Sequence, residues 1–282
     1  MATIGEKLKD AESILRAHGI AHPGRQASAL IGIALKRDRT FLIAHPEYSL
    51  TGADVRTIDA LVQRRSSHEP FQYISGVQEF YGLEFDVTAD VLIPRPETEM
   101  VVERAIKILR PRGDGSICDV GTGSGCIAIS ILHQLDHVSG TALDISPNAL
   151  KVAGQNADKH GVSDRLLLLE SDVFRVLGEE RFEIIVSNPP YVPVQEIDGL
   201  QAEVRDFEPH LALTGSSDGL AIIRRIVRDA PRHLSEQGHL LLEIGFDQSE
   251  KVFAMFDPRH WHRPELFPDL QGIPRLVSAG LN

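Results

Sequence analysis

Phe182-Glu183-Ile184-Ile185-Val186-Ser187-Asn188-Pro189-Pro190-Tyr191 decides how the chain folds. Its first six residues are an apolar, β-branched run of the length expected for a buried parallel strand. Asn188 to Tyr191 therefore stand at that strand's carboxyl end. In an open α/β sheet this edge holds the ligand crevice, because the loops leaving the strands converge there. Two consecutive prolines fix two φ angles and delete two N–H donors, which leaves a stiff loop offering mainly acceptors. The Asn188 side-chain oxygen and the Pro189 carbonyl can each accept one N–H of a planar –NH2 group, while the Tyr191 ring covers its flat face. A proline-braced turn without chemistry is the plainer reading; Asn before and Tyr after the prolines weigh against it.

Around this strand, apolar runs alternate with helical patterns. Strands are expected at 117–120, 140–143, 166–169, 182–187, 239–244, 261–266 and 275–279, and helices reaching Leu135 and over 147–160, 219–234 and 248–256. Such alternation predicts an α/β fold, a mostly parallel Rossmann-like sheet of seven strands that ends in a hairpin, with helices on both faces. Upstream, Thr3 and Glu6 form a capping-box pattern opening a helix over 4–18; further apolar stretches follow at 23–35 and 40–44, and Thr51 with Asp54 caps another helix through Arg65. Residues 1–75 thus read as a small helical domain for substrate recognition, 76–96 as a hairpin and linker around Gly82, and 97–282 as the sheet domain. Glu69 to Gly76 reads as linker. Pro94-Arg95-Pro96 is a rigid strap, with Pro96 at the first turn of a helix reaching Leu109.

The chain has 282 residues, 42% hydrophobic and 24% charged, an ordinary globular composition. No run approaches 18 apolar residues, so a protein in solution in the cytoplasm, without membrane association, is expected. Cys118 and Cys126 read as small buried residues. His260 and His262 have no Cys or carboxylate cluster beside them, and no metal site is expected. The net charge of −11, with the acid excess beyond residue 90, argues against direct nucleic-acid binding, which relies on Lys and Arg to neutralise phosphates.

Asp119-Val120-Gly121-Thr122-Gly123-Ser124-Gly125 joins the first strand of the sheet domain to its helix, and its glycines permit a tight turn and close approach of a ligand. The Gly-x-Gly-x-x-Gly of a dinucleotide site would need glycine where Cys126 stands. Asp144, ending the second strand, is placed for ribose hydroxyls, and Asp172-Val173-Phe174, after the third, for an adenine ring. A nucleoside without phosphates fits better than NAD, and S-adenosylmethionine is such a nucleoside.

The chain resembles the bacterial release factor glutamine methyltransferases, which are class I methyltransferases. Besides the glycine turn and Asn188 to Tyr191, the resemblance runs through Glu69-Pro70-Phe71-Gln72-Tyr73-Ile74, Phe80-Tyr81-Gly82, Ile93-Pro94-Arg95-Pro96-Glu97-Thr98-Glu99, Glu208-Pro209, Asp218-Gly219-Leu220 and Leu242-Glu243-Ile244-Gly245. It implies methylation of the side-chain amide of the glutamine in a Gly-Gly-Gln loop of peptide chain release factors. It also implies cofactor contacts from Gly121, Thr122, Gly123, Ser124, Gly125, Asp144, Asp172, Val173 and Asn188, and substrate binding and catalysis by Asn188, Pro189, Pro190 and Tyr191. The family often has tryptophan where this chain has Val173. A monomer is expected. The rival readings are glutamine methylation of a ribosomal protein and adenine-N6 methylation of DNA, which would need a basic groove.

Overall fold

The computed structural model describes residues 2–214 and 216–282, and the chain divides into two units: one up to Gly76 together with Gln201–Phe207, the other Val77–Leu200 with Glu208–Asn282. The first is helical, with α1 (Ile4–Ala17), α2 (Pro23–Leu35), α3 (Arg39–Ala44), α4 (Gly52–Ser66) and α5 (Phe71–Ser75). Reciprocal capping boxes open two of these: Thr3 and Glu6 at α1, Thr51 and Asp54 at α4. Each supplies acceptors for N–H groups that a first helical turn cannot satisfy itself. Ile4, Leu15, Leu30, Ile31 and Ile58 are fully buried between the helices. The stretch expected as linker holds α5, which ends on Gly76 at φ 80°, a left-handed cap that glycine adopts without steric cost. Arg65, only 2% exposed, donates to Gln26, to the Glu69 carbonyl and to Glu203. This ion pair binds the returning segment 201–207 to the helices.

In the second unit, β1 (Val77–Phe80) and β2 (Leu83–Asp86) form an antiparallel hairpin. Its two-residue turn, Tyr81 and Gly82, has φ of 53° and 75°, the sign that matches the twist of the strands. Phe80 and Phe85 are buried in the same core as β3 (Gly115–Val120) and its neighbours α6 (Glu99–Leu109) and α7 (Cys126–Gln134). Then come β4 (Val138–Asp144), α8 (Pro147–Lys159), β5 (Leu166–Glu170), β6 (Phe182–Ser187), then α9 (Ala202–Phe207), which belongs to the first unit, and, again in the second, α10 (His210–Leu213), α11 (Ala221–Asp229), β7 (Leu234–Glu243), α12 (Ser249–Phe253), β8 (Glu265–Pro268) and β9 (Pro274–Gly280). Among the described residues, seven strands make one sheet in the order β5-β4-β3-β6-β7-β9-β8. β5, β4, β3, β6 and β7 are parallel; β9 runs antiparallel to β7 and β8. The chain winds outward from β3 to β5 and then returns to β6 on the other side. That reversal opens a crevice over the carboxyl ends of β3 and β6.

Several further elements differ from the sequence expectation. The helix expected over 219–234 ends at Asp229, because Pro231 carries no N–H for the next turn and a 3-10 turn over Ala230–Arg232 replaces it. β7 correspondingly begins at Leu234, which pairs with Phe182 before the register shifts. The late strand expected from Trp261 begins at Glu265; Trp261 makes only an isolated bridge to Leu281.

Candidate active site

β6 is buried from Ile184 through Ser187, whose hydroxyl donates to the Val120 carbonyl at 2.6 Å. This hydrogen bond ties the end of β6 to the end of β3, and Asn188 leaves the sheet directly beside the glycine turn. A cavity of about 430 Å³ opens there. Gly121, Thr122, Gly123, Ser124, Asp144, Asp172, Val173, Asn188, Pro189 and Pro190 line it; Gly125 and Tyr191 are not in its wall.

The glycine turn is held from both sides. The N–H groups of Gly121 and Thr122 donate to the Leu143 carbonyl at 2.8 and 3.0 Å, and the Gly123 N–H donates to Asp144 Oδ2 at 2.9 Å. Gly125 is at φ 81°, where a side chain is strained, and an added Cβ would lie 2.6 Å from Ile129 Cδ1 and push that side chain aside. Beneath the turn, fully buried Asp119 accepts from the Thr122 hydroxyl at 2.7 Å. Burial pushes its carboxyl up to about 7. Asn156, also fully buried, donates to the Ser124 and Asp86 carbonyls, so the hairpin and the turn share one brace. Burial pushes Cys126, in the cavity wall, to about 12, which keeps it a neutral thiol.

Asp144 accepts the Gly123 and Ser146 N–H groups, one on each oxygen, at 2.9 Å. Its burial raises the carboxyl pKa despite those bonds. Asp172 pairs with Arg225 at 2.8 Å, and the guanidinium holds its carboxyl below the ordinary range. Val173 has φ 56°, a conformation strained for a β-branched side chain. Ser171 braces it by donating to its carbonyl at 2.8 Å. Apolar Ile145, Val173 and Ile222 line the cavity together with the glycine turn and Asp144, a lining that fits a nucleoside with an uncharged base and free hydroxyls.

Tyr191 stands behind the proline pair. Its hydroxyl lies 3.4 Å from Glu243 Oε1, and its carbonyl accepts from Gln248 Nε2 at 2.9 Å. Burial raises its phenol well above the usual value, so the hydroxyl stays protonated. Glu243, 2% exposed at the end of β7, accepts from the Thr98 hydroxyl at 2.6 Å, and the Thr98 oxygen accepts from Asn188 Nδ2 at 3.1 Å. The strap's Arg95 donates to buried Glu208 at 2.6 Å. Thr98 and Glu243 carry no signal by spacing: they are 145 residues apart in the chain.

A methyltransferase small domain matches residues 99–205, and the fold, glycine turn and cavity define a class I, S-adenosylmethionine-dependent methyltransferase. The Thermus thermophilus 16S rRNA N2 G1207 methyltransferase, solved with its donor and guanosine, shares this fold at a TM-score of 0.52 and 16% identity, over 73% of this chain and 50% of that one. The PrmC N-terminal domain matches residues 6–76. Release factor glutamine methyltransferases of Geobacter sulfurreducens and Cereibacter sphaeroides are each 40% identical over 98% of the chain, covering 96% and 98% of their own lengths. The chain belongs to the release factor glutamine methyltransferase family.

Proposed function

We propose that the chain transfers a methyl group from S-adenosylmethionine to the side-chain amide nitrogen of the glutamine in the Gly-Gly-Gln loop of peptide chain release factors. The observation that carries this reading is one cavity wall: Asn188, Pro189 and Pro190 face the same space as Gly121 to Ser124 and Asp144. In this assignment the glycine turn, Asp144, Asp172 and Val173 hold the donor, and Asn188, Pro189 and Pro190 hold the glutamine, with Tyr191 behind them.

An amide nitrogen is a poor nucleophile because its lone pair is delocalised into the carbonyl. When bound, S-adenosylmethionine supplies a methyl group already activated by positively charged sulfur. The protein's task is therefore to align and to polarise. Asn188 Oδ1 and the Pro189 carbonyl accept the two N–H bonds of the carboxamide, which fixes its rotation and adds electron density at nitrogen. Alignment of this kind is worth about 7–11 kcal/mol in favourable intramolecular cases. An amide nitrogen that had gained the methyl group would be strongly acidic and would lose its proton to water, so no strong base is required of the protein. Tyr191, behind the prolines, stiffens the loop through Gln248 and Glu243.

The helical unit supports a role in holding the protein substrate, and the acid excess supports a protein rather than a nucleic acid as partner. We assign the activity to a monomer in the cytoplasm, where translation factors act; among the described residues no helix is long and apolar enough to cross a membrane. Mass spectrometry of a release factor incubated with isotopically labelled donor tests the reading. The Gly-Gly-Gln peptide is expected to gain one labelled methyl group, and the same factor with that glutamine replaced is expected to gain none. An unaltered native peptide, or label that survives the replacement, overturns it.

A further inference from the structure

Asn188 can meet an –NH2 group as an acceptor in only one of the two orientations of its carboxamide. Turned over, it would present its own N–H groups to those of the substrate. The parallel pairing of Ser187 with Leu242 brings the next residues, Asn188 just past the end of β6 and Glu243 at the last position of β7, to the same level, and Thr98 bonds to both.

We propose that Thr98 and Glu243 are positioning residues that set which end of Asn188 faces the cavity. This rests on the reading of Asn188 as the acceptor for the substrate amide. An ionised carboxylate only accepts hydrogen bonds, and a hydroxyl has one hydrogen to give. The Thr98 hydrogen goes to Glu243, at the 2.6 Å of a charge-assisted bond. Its oxygen then has only lone pairs to offer Asn188, 3.1 Å away. Nδ2 must turn toward Thr98, and Oδ1 toward the substrate. With Thr98 2% and Glu243 2% exposed, water does not substitute for either contact.

The same logic reverses on protonation. A neutral Glu243 can donate to Thr98, which frees the Thr98 hydrogen for Asn188 Oδ1 and permits the wrong orientation. Burial pushes Glu243 up to about 7; the Thr98 bond, Arg275 on β9 and the Tyr191 hydroxyl favour its ionised form, and Glu97 on the strap opposes it. Cys126, whose thiol Glu243 helps to raise, stays neutral throughout. Turnover therefore rises with pH through about 7 to a plateau.

The test is single-turnover methyl transfer to a release factor between about pH 5.5 and 9, with donor affinity measured by calorimetry. It compares the wild type with Thr98→Ser, Thr98→Val, Glu243→Gln and Asn188→Ala. Thr98→Ser keeps the hydroxyl and is expected to retain the wild-type rate within about threefold. Thr98→Val is expected to lose about tenfold, the worth of one net hydrogen bond, with donor affinity unchanged. Measured at saturating donor, so that Asp119 beneath the glycine turn does not enter through donor binding, Glu243→Gln is expected to lose the rise near pH 7 that Glu243 causes. Should Thr98→Val show no cooperative melt, the Glu243→Gln profile decides alone. If Asn188→Ala is slow while Thr98→Val matches the wild type, or if Glu243→Gln keeps the pH step, the relay is wrong and the Asn188 reading stands. If Asn188→Ala itself turns over normally, that reading falls and the relay with it.

Discussion

Replacing Gly219 by alanine puts a Cβ 2.1 Å from the Tyr191 carbonyl oxygen and 2.9 Å from its carbonyl carbon, at a backbone φ of 69°. The left-handed conformation costs a non-glycine residue about 1–2 kcal/mol. Relief of the clash requires the Tyr191 backbone to move by roughly 1 Å, to reach ordinary contact. That shift breaks the 2.9 Å bond from Gln248 Nε2, worth about 1 kcal/mol. The sum, about 2–3 kcal/mol, corresponds to a melting temperature lower by roughly 4–12 °C for a unit of this size. Because Tyr191 continues directly from Asn188-Pro189-Pro190, methyl transfer is expected to fall about a hundredfold, the effect a 1 Å misplacement can have, while donor binding at the glycine turn and Asp144 changes little. Thermal melts by circular dichroism, single-turnover transfer and calorimetry read these outcomes. Gly199→Ala is the control, since a Cβ there meets nothing within 4 Å. A Gly219→Ala protein that melts and turns over like the Gly199→Ala control would refute the reasoning.

Asn188→Ala is expected to lower turnover by roughly a hundredfold, the effect of removing one polarising contact; calorimetry should find donor affinity nearly intact, and equal loss of both would contradict the role. Asp144→Ala is expected to weaken donor binding at least tenfold, because it removes the ribose acceptor and strands the Gly123 and Ser146 N–H groups; unchanged affinity would place the donor elsewhere. Without ligand, stability should fall as pH rises from about 4.5 to 7, because the unfolded chain releases the Glu243 proton near 4.5 whereas burial holds it in the fold to about 7. Glu243→Gln removes that cost, so the difference between denaturant midpoints at low and neutral pH should shrink by the equivalent of about 3 kcal/mol; an unchanged difference would show Glu243 ionised throughout.

Much of the sheet was legible because buried parallel strands are continuous apolar runs. Phe182–Ser187 is such a run, and the observed β6 has the same bounds. Loop glycines likewise announce a turn whose backbone must approach a ligand. β7 was legible only in its second half, since Ser235, Glu236 and Gln237 are polar and Gln237 has φ 59°. The short helices within Val194–Leu213 gave no periodic signal, being too brief to complete one. In the candidate site, most residues offered by local motifs line the cavity, whereas Gly125 and Tyr191 do not. Thr98 and Glu243 lay inside recognisable motifs, but their contact depends on the strap reaching the end of β7, a tertiary fact that no local pattern encodes.

The most direct test of the account is a crystal structure of the chain with S-adenosylhomocysteine and a peptide bearing the Gly-Gly-Gln loop. The glutamine carboxamide nitrogen should lie about 2.7–3.2 Å from Asn188 Oδ1, with the thioether sulfur on the extension of the line that the transferred methyl would occupy. A glutamine side chain seated away from Asn188, or a sulfur facing another wall of the cavity, would contradict it.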